Sequence, residues 1–207
     1  MISRRNLGLG LAAALVAGGA VAQGAGPVVG QPAPNFSAVD ADGRTRSLSQ
    51  FRGKTVVLEW TNHECPYVRK HYGSGSMQAL QRDATRDGVV WLSIVSSAPG
   101  QQGHVTGAQA KQLTASRNAS PTAVLLDPDG RVGRLYGAKT TPHMFVINAQ
   151  GRLVYAGGID DVPTPRPEDL QRARPLVRLA LADVKAGRDV AVPVSRPYGC
   201  AVKYQPT

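Results

Sequence analysis

A chain of 207 residues, 42% of them apolar, has material for one real core and too little for several. Its 23 glycines and 15 prolines make it rich in loops, yet fall short of the share that marks collagen or low-complexity chains. The net charge of +10 comes from basic residues scattered in runs no longer than Arg4-Arg5 or Arg69-Lys70, with only 5% aromatics between them, so nucleic acid is not an expected partner.

Residues 1–22 place Arg4 and Arg5 ahead of an apolar stretch, Leu7 to Ala22, that closes on Ala20-Val21-Ala22, the small-x-small pattern of a signal-peptidase site. Broken by Gly8, Gly10, Gly18 and Gly19, this stretch is too short and too weakly apolar for a spanning helix, and it reads as an export signal cut before Gln23. Ser3-Arg4-Arg5-Asn6-Leu7 is also compatible with the twin-arginine route. The expected product is one periplasmic domain, residues 23–207 with a tail from residue 190, free of the membrane once the signal is removed.

After a Pro/Gly-rich lead, Phe36 to Val39 and Thr45 to Leu48 flank the turn Asp40-Ala41-Asp42-Gly43 and predict a small hairpin. Thr55 to Trp60, β-branched and aromatic, predicts a buried strand. A helical stretch follows to about Arg86, interrupted at Gly73-Ser74-Gly75 with Ser76 as a fresh cap. Val89 to Val95 and Thr122 to Leu126 read as further strands, Thr106 to Arg117 as a helix between them, and Asp127-Pro128-Asp129-Gly130 as a tight turn. Met144 to Ile147 and Leu153 to Ala156 form a second hairpin, and Pro175 to Ala186 a last helix. Crossover helices between buried strands require an α/β fold, a mixed sheet covered on both faces.

Cys65 and Cys200 are the only cysteines, and in an oxidising compartment such a pair can close into a disulfide, although spacing alone does not decide connectivity. Cys200 can equally be a tail staple or an idle thiol. Cys65 has the more informative setting: it follows a strand and stands just before Pro66, at the start of a helix whose unpaired N–H groups and dipole favour an anion. Only the thiolate attacks a peroxide or a disulfide sulfur, so a working Cys65 needs its pKa lowered. Arg69, four residues on, returns to the same helical face, and His63 can assist as a cation or proton relay, while Glu64 opposes the thiolate. The alternative is a buried inert thiol.

Six segments carry a resemblance to a known family. Gly30-Gln31-Pro32-Ala33-Pro34-Asn35-Phe36 and Leu48-Ser49-Gln50-Phe51-Arg52-Gly53-Lys54 resemble the redoxin branch of the thioredoxin fold, the alkyl hydroperoxide reductase/thiol-specific antioxidant family. Asn62-His63-Glu64-Cys65-Pro66-Tyr67-Val68, Thr141-Pro142-His143-Met144-Phe145, Gly157-Gly158-Ile159-Asp160-Asp161 and Tyr198-Gly199-Cys200-Ala201-Val202-Lys203-Tyr204 look like its exported peroxiredoxin-like members.

The resemblance implies a thioredoxin-like fold with an N-terminal β-hairpin and a thiol-based oxidoreductase. Cys65 would attack a peroxide or a protein disulfide, Cys200 would resolve it within the same chain, and an external thiol would reduce the product. Thr141-Pro142 is a candidate cis peptide facing Cys65, with Thr141 offering backbone hydrogen bonds to an extended partner and His143 lining the pocket; an ordinary trans proline is the alternative. No cofactor and no metal are implied. Two readings of a different class stay open: a soft metal site from His63, Cys65 and His143, and a redox-inactive module that presents the groove between Cys65 and Pro142 to a partner.

Overall fold

The computed structural model describes residues 26–206, and the signal segment expected over residues 1–22 lies outside them. The first hairpin forms as β1 (Ser37–Asp40) and β2 (Thr45–Ser47), its turn closed by the Asp40 carboxylate, which accepts the amides of Asp42 and Arg44. The β-branched run becomes β3 (Val56–Trp60), buried at every position. The helical stretch breaks into α1 (Pro66–Gly73) and α2 (Ser76–Arg86). Gly75, not Ser76, caps α2, and its φ of 78° is one that a side chain resists.

Then come β4 (Val90–Val95), α3 (Gly107–Ser116) and β5 (Ala123–Leu126). The cap of α3 is reciprocal: Thr106 accepts the Gln109 amide while the Gln109 side chain accepts the Thr106 amide. A helix absent from the sequence reading, α4 (Arg131–Leu135), follows the tight turn; Asp127 nucleates it by accepting the amides of Val132 and Gly133. The chain continues through β6 (Thr140–Thr141), β7 (His143–Ile147), β8 (Leu153–Gly157) and α5 (Leu176–Lys185) to a short tail strand, β9 (Cys200–Ala201), also unanticipated.

Seven strands form one mixed sheet in the order β2-β1-β5-β4-β3-β7-β8, with β5, β4 and β3 parallel at its centre and β7 antiparallel to β3. Alternation along the central strands splits the core. Val56, Leu58 and Trp60 join Phe145, Ile147, Phe36 and Val132 on one face; Val57, Trp91, Met144 and Val146 meet Val68, Met77 and Val177 from α1, α2 and α5 on the other. Glu59 is buried in the middle of the second face. A carboxylate this deep is costly unless bonded, and Glu59 accepts from Tyr72, Trp91, Ser93 and Gln81 at 2.8–3.2 Å. Burial and the neighbouring Glu59 push the Tyr72 hydroxyl well above its ordinary pKa, so it stays a donor.

This frame places the site. The β3–β7 register sets Trp60 opposite His143, so the loop leaving β3 toward α1 comes to lie beside the strand that precedes β7. Among the described residues no helix is long and apolar enough to cross a membrane.

Candidate active site

Cys65 caps the N-terminus of α1 with extended backbone, and Pro66 fills the first helical position, where a missing N–H is harmless. The loop before it is tied down on both sides. The Cys65 amide donates to the Asn62 carbonyl at 3.1 Å, and the Asn62 side chain accepts the Glu64 amide at 2.9 Å. The Glu64 carboxylate accepts the Gly103 amide at 2.6 Å, which commits that charge to the neighbouring loop rather than to the thiol.

The Thr141–Pro142 peptide is cis. Cys65 has no exposed surface, and its Sγ donates to the Thr141 carbonyl at 3.0 Å. Cys200 is the antiparallel partner of Thr141 in the β6–β9 pair, which brings the second sulfur against the first across 135 residues of chain. Gly199 makes the approach feasible: at its φ of 128° a Cβ would fall on the Thr141 carbonyl oxygen.

The two thiols lean in opposite directions. Burial pushes Cys65 up, but the Cys200 thiol, the Thr141 hydroxyl and the amides of Cys200 and Val68 all stabilise its thiolate, and the balance lies below the ordinary thiol value. Thr141 Oγ1 is buried without a hydrogen-bond partner while Cys65 is a thiol; ionisation supplies its acceptor. Burial, then the adjacent Cys65 as acceptor and as anion, pushes Cys200 up to about 11, with Lys203 opposing. Cys200 keeps its proton and offers it to Cys65.

Other expected residues sit differently. Arg69 is exposed, and its Nε donates to the His63 carbonyl at 3.1 Å, so it braces the loop and is not among the groups that lower Cys65. Burial holds half-buried His63 below its ordinary value, Arg117 and Arg69 adding to the effect against Glu64, which makes it a neutral imidazole at pH 7 rather than a cation beside the thiolate. His143 shares the face of Phe145, its ring 4.5 Å from that ring, and its Nδ1 accepts the Lys139 amide. Cys65 packs with Met144 on the opposite face, so the structure groups Cys65, Thr141, Pro142 and Cys200 and leaves His143 out. The same parity separates two of the three donors of the metal reading, and among the described residues no group of three or more His, Cys, Asp or Glu is arranged to hold a metal ion.

One group escaped the sequence reading. Lys70 and His71 of α1, Asp160 and Tyr198 form a buried cluster behind Cys65. The Tyr198 hydroxyl donates to Asp160 at 2.5 Å, Lys70 Nζ reaches Asp160 at 3.3 Å and the Val162 carbonyl at 2.9 Å, and His71 Nε2 lies 3.3 Å from the Tyr198 oxygen. Burial lowers His71 to about 4, Lys70 adding and Asp160 opposing, so a neutral imidazole sits beside the Lys70–Asp160 ion pair at pH 7. Asp160 and Tyr198 lie 89 to 128 positions from Lys70 and His71, and the only local signal was polar residues on the helix face that follows Cys65.

The model of the AhpC/TSA family matches residues 29–156. Among solved structures, a hypothetical protein from Sinorhizobium meliloti 1021 is 24% identical, with 89% of this chain and 99% of that one covered at a TM-score of 0.77. An uncharacterized conserved protein from Geobacillus kaustophilus is 23% identical over 87% of this chain and 94% of its own, at 0.71. The proposed thiol:disulfide interchange protein DsbE from Chlorobium tepidum is 22% identical over 77% and 96%, at 0.54. At these identities the likeness is one of fold, and the fold is thioredoxin-like. Among curated proteins none matches significantly.

Proposed function

Because the chain belongs to the alkyl hydroperoxide reductase/thiol-specific antioxidant (AhpC/TSA) family, we propose that it is an exported thiol-based oxidoreductase in which Cys65 attacks and Cys200 resolves. The observation that carries this reading is the pair of sulfurs joined across Thr141, one inclined to ionise and the other to stay protonated. A helix N-terminus, two amides, a hydroxyl and a thiol all converge on Cys65, and such convergence is how a nucleophilic thiolate is made at neutral pH.

With a hydroperoxide, the Cys65 thiolate attacks the terminal oxygen, the O–O bond breaks, and the alkoxide or hydroxide leaves with a proton, the Cys200 thiol being the nearest source. Cys65 is then a sulfenic acid. The Cys200 thiolate left by that transfer attacks the sulfenic sulfur, the S–O bond breaks, the hydroxide takes a proton from solvent and leaves as water, and a Cys65–Cys200 disulfide remains for an external thiol to reduce. Arg69, His63 and Glu64 serve by fixing the loop. No organic cofactor enters this chemistry. The likeness to the Chlorobium tepidum thiol:disulfide interchange protein supports disulfide exchange as a second use of the same sulfurs. The periplasm as the place of action rests on residues 1–22.

The test is a non-reducing peptide map by mass spectrometry before and after one equivalent of peroxide. The parent should gain an intrachain Cys65–Cys200 crosslink. Cys200→Ser should instead accumulate sulfinic or sulfonic acid at Cys65, and Cys65→Ser should lose peroxide turnover with its fold intact. Full turnover by Cys65→Ser would overturn the reading.

A further inference from the structure

Among the described residues β6 pairs with nothing but the tail. Remove β9, and the main-chain groups of Thr140 and Thr141 become a bare strand edge beside Cys65, the kind of edge to which an extended peptide adds by backbone hydrogen bonds. The chain fills that edge with its own peptide, Tyr198-Gly199-Cys200-Ala201-Val202-Lys203-Tyr204. Thr141 faces Cys200, Thr140 faces Ala201, and the Val202 amide donates to the Lys139 carbonyl at 3.1 Å. The tail thus presents a cysteine, preceded by glycine, in register with the reactive sulfur, and it leaves Cys65 without exposed surface.

The fastenings are uneven. Beyond Cys200, the Lys203 carbonyl accepts the Ala98 amide and the Tyr204 hydroxyl donates to the Ala138 carbonyl, both at 2.8 Å. Before Cys200, the Tyr198 hydroxyl is bonded to buried Asp160, with the Tyr67 ring edge-on at 5.8 Å. Ser195 Oγ meets the Tyr155 hydroxyl and accepts the Gly158 amide, and exposed Arg134 donates to the Gln205 carbonyl, but among the described residues Tyr198 is the one tail side chain hydrogen-bonded to a buried charged group, and hydrogen bonds to charged groups are the stronger kind.

We infer that the tail is an internal stand-in for an extended cysteine-bearing polypeptide, latched by Tyr198 on Asp160, and that it must lift from the Thr140–Thr141 edge before Cys65 exchanges disulfides with another chain. This rests on Cys65 being the nucleophile proposed above. With the tail lifted, a partner's disulfide-bearing strand takes the edge. The Cys65 thiolate attacks one partner sulfur, the partner's S–S bond breaks, and its second sulfur leaves as thiolate, taking a proton from solvent. Return of the tail displaces the partner strand and brings Cys200 to the mixed disulfide. Cys200, giving up its proton, attacks the Cys65 sulfur, and the partner's first sulfur leaves as a thiol. The partner gains two electrons and the chain holds a Cys65–Cys200 disulfide. Because tail and partner compete for one edge, displacement and resolution are a single event.

The probe is the disulfide-linked dimer of the tail's own heptapeptide, Tyr-Gly-Cys-Ala-Val-Lys-Tyr, mixed with the fully reduced chain while release of peptide thiol is followed. Gly199→Ala sets a methyl against the Thr141 carbonyl and forces the tail off the edge; Tyr198→Phe removes only the latch hydroxyl. Each should speed thiol release on the order of 10-fold or more, which for Tyr198→Phe is the change expected for losing a hydrogen bond to a charged group. In both variants the serine analogue of the peptide, which binds the edge but cannot react, should suppress the gain by competition. Hydrogen exchange should quicken at Val202 and stay slow at Leu58 in β3, which separates tail release from general unfolding. If Tyr198→Phe quickens exchange at Val202 yet leaves peptide release at the parental rate, or if the serine analogue does not compete, the inference fails. If instead mass mapping finds that no variant ever carries peptide on Cys65, the nucleophile reading itself fails.

Discussion

Glu59 and Asp160 are both buried carboxylates that bond side chains of α1, Glu59 through Tyr72 and Asp160 through Lys70 and, more distantly, His71. Every side-chain partner of Glu59 comes from α1, α2 or β4, elements already packed into one body. Asp160 binds the same helix to Tyr198, in a segment that meets the body along a two-residue strand and a few loop contacts. Deeply buried hydrogen-bond centres of similar chemistry therefore differ in consequence according to what they join. One inside a cooperative unit adds to the stability of the whole; one joining the unit to a strap sets the free energy of a local opening.

Replacing each carboxylate separates the two cases. Asp160→Ala leaves the Lys70 ammonium buried with only the Val162 carbonyl, and should lower unfolding stability by ~3–5 kcal/mol. It should also release the tail first, so that Cys200 is alkylated under native conditions. Glu59→Leu strands the buried donors of Tyr72, Trp91 and Ser93, while Gln81 keeps the Tyr72 oxygen, and should cost ~3 kcal/mol, with Cys200 as protected as in the parent. Urea midpoints paired with native-state alkylation measure both; equal tail labelling in the two variants would erase the distinction drawn here.

Acid sharpens the comparison, because only the Asp160 cluster contains a histidine. His71 and His143 are held near 4 against an ordinary 6.5, in both cases chiefly by burial. Between those values the unfolded chain binds more protons than the folded one, so stability is complete above about pH 6.5 and falls as the pH drops toward 4. Each histidine contributes up to ~3 kcal/mol to that loss. Urea midpoints from pH 7 to 4 should show the decline, and His71→Gln should remove about half of the pH dependence.

The smallest effect belongs to the site itself. Thr141→Val deletes a hydroxyl that has no partner until Cys65 ionises, so stability should barely change. The midpoint of Cys65 alkylation against pH should rise by roughly one unit, the worth of one hydrogen bond to an anion. An unchanged midpoint would remove the hydroxyl from the thiolate's support.

Much of the frame was legible because its signals are local. Runs of Val, Leu and Trp mark β3 and β4, Gly75 breaks the helix, and Cys65-Pro66 marks a helix start with a thiol on it. Where local reasoning failed, a longer-range contact outweighed it. Arg69 has the spacing to face Cys65, yet its guanidinium turns to the His63 carbonyl at the loop. β7 is buried on both faces, so no polar alternation tells which side His143 takes; pairing with β3 decides. α4 owes its start to the Asp127 side chain.

By itself the sequence determined the order of the longer strands and helices, though not α4 or β9, the one cysteine placed at a helix N-terminus, and the turns where glycine alone fits, since each depends on residues within a few positions of one another. Only the tertiary structure decided that Cys200 faces Cys65, that Thr141 stands between them, and that Tyr198 is anchored on Asp160. Those contacts span 38 to 135 positions, and no periodicity or propensity reaches so far. They follow from the packing of α1 against the sheet and from a tail whose prolines and glycine deny it a helix, leaving its backbone groups to pair with the nearest open edge.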